Sequence, residues 1–137
     1  MSFYQRSLIS LCAVAVFYSP RMYAQTSAVD SSVKENAAIR WITGTVHDFG
    51  KIKQGEPVTF TFEFINRGRE AITISRGKVE CSCMSIAYND KSIAGGEKGE
   101  IKIGYNAHSA GPFSKDATIV FSNHEQFTLK ISGEVIQ

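Results

Sequence analysis

The chain has 137 residues, enough for one domain and not two. Its 15 Lys and Arg stand against 13 Asp and Glu, and removal of residues 1–24 would take Arg6 and Arg21 away and leave 13 of each sign. A near-neutral protein of this kind has no electrostatic footing for nucleic acid or for an anionic membrane surface.

The start of the chain reads as an export signal. "MSFYQR" supplies one positive charge, Arg6, and "SLISLCAVAVFY" is an apolar run of signal length. Ala24 is a small residue before a plausible cut at Gln25. The run falls short of the ~20 apolar residues that span a bilayer, so cleavage is expected over a retained anchor, with no stable membrane insertion afterwards. Cys12 lies inside the apolar run behind the bulky Leu11, which disfavours a lipidated cysteine. Residues 25–38, "QTSAVDSSVKENAA", are small and polar without apolar period and read as a linker.

From residue 39 to 137 the texture changes to alternating apolar and polar residues, the period of half-buried strands. "WITGTVHDFGKI" opens the domain with Trp41, Val46 and Phe49 as its apolar set. "PVTFTFEFINRG" points Val58, Phe60, Phe62 and Phe64 one way and Thr59, Thr61 and Glu63 the other. Each such Phe contributes about 1.5–3 kcal/mol on leaving water, so this face must be covered. "EAITISRGKVE" places Ile72 and Ile74 inward. In "VECSCMSIAY" the parity of Val79, Cys81 and Cys83 is opposite to that of Met84, Ile86 and Tyr88, which predicts a bulge or bend between them. "EIKIGYN", "ATIVFSN" and "QFTLKISGEVI" bury Ile101, Ile103 and Tyr105, then Ala117, Ile119 and Phe121, then Phe127, Leu129, Ile131 and Val135. Lys102 and Lys130 are expected outside.

Turn residues separate the runs: "NRG" at 66–68, offering positive φ, the glycines of "IAGGEKGE", "SAGPF", and "SNHE". No stretch of helical length shows a 3.6-residue period. The reading is an all-β, two-sheet, immunoglobulin-like Greek-key sandwich of about seven strands behind a signal peptide, with a small barrel as runner-up. Trp41 precedes both Cys81 and Cys83, so the Cys…Trp…Cys order of antibody domains is absent.

In order along the chain, "HDFGKIKQGEPVTFTFEFINRGREAITI", "VECSCMSIAY", "SIAGGEKGEIKIGYN" and "LKISGEV" resemble the DUF1573 domains of exported bacterial proteins, over roughly residues 45–136. Where those domains usually carry Cys-Gly-Cys, this chain has Ser82 between the cysteines, and Ala94-Gly95 stands for the usual Pro-Gly. The wider resemblance is to immunoglobulin-like domains of the major sperm protein (MSP) and ASPM/SPD-2/Hydin type. The resemblance implies fold and export, and no reaction.

Enzyme motifs are absent: no G-x-S-x-G, no H-E-x-x-H, and a "GGEKGE" without the Gly-Lys-Ser/Thr of a phosphate loop. Asp48 is expected to accept backbone hydrogen bonds in its turn. His47, His108 and His124 are dispersed and expected to be exposed. That leaves Cys81 and Cys83. A flat strand holds such an i, i+2 pair about 6.5–7 Å apart at Cα, the upper limit for a disulfide. Three readings stay open: thiols packed or bridged without a role, a soft pair suited to Cu(I) with Met84 adjacent, and a labile disulfide for thiol exchange. The functional expectation is an exported, non-enzymatic module without cofactor that binds a protein partner in the periplasm, at the cell surface or after secretion. The alternative is a small envelope protein handling thiols or copper through Cys81 and Cys83.

Overall fold

The computed structural model describes residues 37–137. The predicted signal at 1–24 and residues 25–36 of the predicted linker lie outside the described residues. Ala38 is already tied to the domain: its carbonyl accepts from Arg67 N at 2.7 Å and its N–H donates to Glu125 Oε1 at 3.0 Å.

Among the described residues, eight strands form two four-stranded sheets. The strands are β1 (Ile39–Trp41), β2 (Val46–Lys53), β3 (Val58–Asn66), β4 (Ile74–Val79), β5 (Met84–Tyr88), β6 (Lys98–Tyr105), β7 (Gly111–Phe121) and β8 (Gln126–Ile136). One sheet has the order β1-β3-β6-β5 and the other β2-β8-β7-β4. If β1 and β2 are taken as two halves of a first strand, these are the two sheets of an immunoglobulin sandwich. The expected seven strands become eight for that reason. Gly44, at φ 76°, turns the chain out of one sheet and into the other, so the opening run pairs antiparallel with β3 and then parallel with β8.

The sheets meet over Phe62, Phe64, Ile101, Ile103, Ile119, Phe121, Leu129 and Ile131, all buried. Phe64 and Phe121 touch across the core with ring centroids 5.1 Å apart. They link the two strands that a disulfide joins in antibody domains. Trp41 packs on Phe62, Phe64 and Phe127. Thr59, Lys102 and Lys130 face solvent, as the alternation requires.

Val46, His47, Phe60 and Asn66 depart from their expected settings. Val46, expected inward with Trp41 and Phe49, is 61% exposed: Phe49 does turn toward the sandwich, and because alternate residues of β2 share a face it brings His47 with it and leaves Val46 and Asp48 to water. His47 is therefore half-buried, stacked on Phe60 with centroids 3.5 Å apart and edge-on to Phe49 at 4.6 Å. Phe60, in turn, is only partly covered, since it sits at the margin under that imidazole rather than in the centre. His108 and His124 are exposed as expected, and Asp48 Oδ1 accepts from Gly50 N at 2.8 Å.

The turn expected in "NRG" is also built differently. Neither Asn66 nor Gly68 takes a positive φ. Asn66 is fully buried at the end of β3 and holds two loops together. Its Nδ2 donates to the carbonyls of Glu70 (2.8 Å) and Ile93 (3.0 Å), and its Oδ1 accepts from Gly68 N (2.9 Å). Its backbone N–H donates to Glu97 O at 2.9 Å and its carbonyl accepts from Gly96 N at 2.6 Å.

Candidate functional site: the Cys81–Cys83 turn

The parity change inside "VECSCMSIAY" is a turn, not a bulge. β4 belongs to one sheet and β5 to the other, and residues 80–83 carry the chain across. The Met84 N–H donates to Cys81 O at 3.2 Å, closing a turn over Ser82 and Cys83. Ser82 has no positive φ, so a serine serves here without strain. The Asn106 N–H donates to Cys83 O at 2.9 Å and fastens the turn to the segment after β6.

Cys81 and Cys83 are joined in a disulfide, with Cα atoms 5.2 Å apart. That separation lies well inside the bridging range, which a flat strand barely reaches. Both cysteines are half-buried against the margin of the core. The ring closes only three residues, and chain entropy assigns such a link about 1.6 kcal/mol. A domain held by about 5–15 kcal/mol does not depend on it.

Cys83 and Ser82 border an open hollow of about 570 Å³, shared with Asn106, His108 and Lys115. The segment after β6 is well anchored there. His108 N donates to Asn106 Oδ1 (3.1 Å), Gln54 Nε2 donates to His108 O (2.9 Å), and Gly55 N donates to Ala107 O (2.9 Å). No carboxylate lines the hollow, and Cys81 is not part of its wall. Glu80, the neighbour of Cys81, is turned over β7, where its Oε2 accepts from Asp116 N at 3.0 Å.

Met84, the expected soft companion of the two sulfurs, is buried in the core. Among the described residues no group of three or more His, Cys, Asp or Glu is placed to hold a metal ion. No local signal in the sequence brings Asn106, His108 and Lys115 to the cysteines. Their meeting depends on the β5–β6 pairing, whose register continues from Met84↔Tyr105 to the Asn106 N–Cys83 O bond and joins stretches more than twenty residues apart in the chain.

The model of a family described as "Protein of unknown function (DUF1573)" matches residues 41–135. The chain belongs to that family. No curated protein sequence matches it. Among solved structures, the DUF1573 chain is similar to the Vibrio cholerae VesB protease, with a TM-score of 0.62 and 16% identity over 72% of this chain and 32% of that one. It is similar also to a protein of unknown function from Porphyromonas gingivalis W83, at 0.62 and 15%, covering 76% and 51%. A third similar structure is the ASH / PapD-like domain 7 of human CEP192, at 0.59 and 11%, covering 73% and 86%. The chain thus spans about a third of the protease and about half of the Porphyromonas protein. At these identities the likeness establishes the immunoglobulin-like sandwich and nothing about activity.

Proposed function

We propose that this DUF1573 domain is an exported, non-enzymatic module that docks a protein partner by strand addition at the edge of β5. The carrying observation is a comparison of the four sheet edges. Proteins guard edges with short strands, charges and bulges. β1 is three residues long. β2 carries His47, Asp48, Lys51 and Lys53 and is irregular between Asp48 and Lys51. β4 carries Arg76 and Lys78 and is irregular between Ile74 and Arg76. β5, "MSIAY", has no charged residue and pairs with β6 in unbroken register from Met84↔Tyr105 to Tyr88↔Ile101. Its outward side chains, Ser85 and Ala87, are small. Such an edge offers free backbone donors and acceptors to an extended, weakly charged segment of another protein.

Export is supported by the signal-like start of the sequence, and the disulfide suits an oxidising compartment: the periplasm, the cell surface or the medium. The balance of charge favours a protein partner over nucleic acid or membrane. The test is a photo-crosslinking residue at Ala87 in the protein expressed in its own cells, with Thr128 on the outer face of the other sheet as control. A discrete adduct at 87 and none at 128 is expected. Ala87→Glu, opposite Lys102 in the ladder, keeps the fold, puts a charge on the edge and should remove binding measured with the isolated partner. Equal labelling at both positions, or none at 87, would refute the edge as the docking surface.

A further inference from the structure

We propose that the Cys81–Cys83 disulfide is an exchange site that oxidises dithiols on a partner protein, with Cys83 as the sulfur under attack. The bridge lies in the turn between the sheets, outside both ladders, so opening it breaks no strand pairing. The turn has two backbone hydrogen bonds beside the bridge, Met84 N to Cys81 O and Asn106 N to Cys83 O, so its shape does not rest on the bridge alone. Both cysteines are half-buried, and they differ in what lies beside them. Cys83 borders the open hollow and Cys81 does not. The wall of that hollow carries Lys115 and His108 and no carboxylate, a setting that receives an incoming thiolate rather than repelling it.

The chemistry balances as two exchanges. A partner thiolate attacks Cys83 Sγ; a mixed disulfide forms, the Cys81–Cys83 bond breaks, and its electron pair leaves on Cys81 Sγ, which takes a proton from water. The partner's second thiol then gives its proton to water and attacks its own sulfur in the mixed disulfide. Cys83 departs as a thiolate and is protonated in turn. The partner loses two electrons and two protons, and the Cys81/Cys83 pair gains them. A small-molecule disulfide such as oxidised glutathione restores the bridge by the reverse steps.

This inference stands apart from docking at β5, and its test does not use that edge. The unaltered protein is equilibrated in glutathione buffers of graded oxidised-to-reduced ratio, its thiols are alkylated, and they are counted by mass spectrometry. The reduced fraction should rise from under a tenth to over nine tenths across the buffers, with an unchanged circular dichroism spectrum. A bridge that stays oxidised throughout would make it structural and overturn the proposal, as would unfolding on reduction. In single variants, Cys83 in Cys81→Ser should form a mixed disulfide with oxidised glutathione at least tenfold faster than Cys81 in Cys83→Ser. Equal rates, or the reverse order, would overturn the assignment of Cys83.

Discussion

Replacing Asn66 by alanine should be among the most damaging single changes in the sandwich, although it touches no apolar contact. The substitution takes two donors and one acceptor away from Glu70 O, Ile93 O and Gly68 N. A buried polar group left without its partner costs about 1–3 kcal/mol. The bond to Ile93 O is fully buried, and its loss belongs at the upper end of that range; the other two are partly buried, so water takes up some of their loss. The sum is about 3–4 kcal/mol, near the top of what point mutations cost. In a domain of this size that lowers the melting temperature by roughly 12–30 °C. Urea unfolding followed by tryptophan fluorescence measures it directly, since Trp41 is the only tryptophan. The midpoint should fall while the slope stays constant, because the surface exposed on unfolding does not change. Asn66→Asp sharpens the test. It keeps the acceptor for Gly68 N but buries a charge, so it should be worse than alanine at pH 7 and recover on acidification as the carboxyl protonates. A loss below about 1 kcal/mol for Asn66→Ala would show that water or a local shift satisfies the same groups, and the account of Asn66 as a bracket between loops would fail.

Three further outcomes follow from the same structure. Gly99→Ala should cost about 1–3 kcal/mol by overpacking, since an added Cβ would run into the Phe64 ring and lie 2.8 Å from Ile93 Cδ1; an unaltered urea midpoint would contradict this packing. Burial holds the His47 imidazole below its ordinary value of 6.5, with Asp48 pulling weakly the other way. The unfolded chain therefore takes up the proton first. This contribution to stability is complete above about pH 6.5 and is lost as the pH falls through the lower value of the folded state, so the urea midpoint should decline below pH 6.5 and His47→Phe should flatten that decline. Val46→Thr should change stability by less than about 0.5 kcal/mol, because the side chain faces water; a larger loss would restore the inward Val46 expected from the sequence alone.

The central strands were legible because each reports its own environment. Phe62 and Phe64, Ile101 and Ile103, Leu129 and Ile131 alternate with polar neighbours, and a slip by one residue would expose them all. The margins were not. Val46 is more apolar than His47, yet which of the two turns inward depends on the parallel pairing with β8, set by residues some eighty positions away. Asn66 looked like a turn residue because Asn-x-Gly is a local signal, whereas its burial follows from the loop at 93–97 closing over it. The Cys-x-Cys turn was half legible. Its change of parity showed that the strand must break there, but the crossing between sheets and the hollow beside Cys83 arise from long-range packing.

The parallel pairing of β2 with β8 has a consequence for the order in which the domain can form. A chain emerges N-terminus first, whether from a ribosome or through a membrane, and β2 emerges among the first strands while its partner emerges last. Hairpins such as β7 with β8 can close locally, through the turn in which His124 N donates to Phe121 O at 3.0 Å. The β2–β8 ladder begins at Val46↔Lys130 and can close only after nearly the whole domain is out. Contacts of such sequence separation pay their loop-closure entropy before they return any energy, and they slow folding accordingly. Until then β2 waits as an open edge, and the charges of Lys51 and Lys53 guard the nascent chain against pairing with a neighbour in the interval.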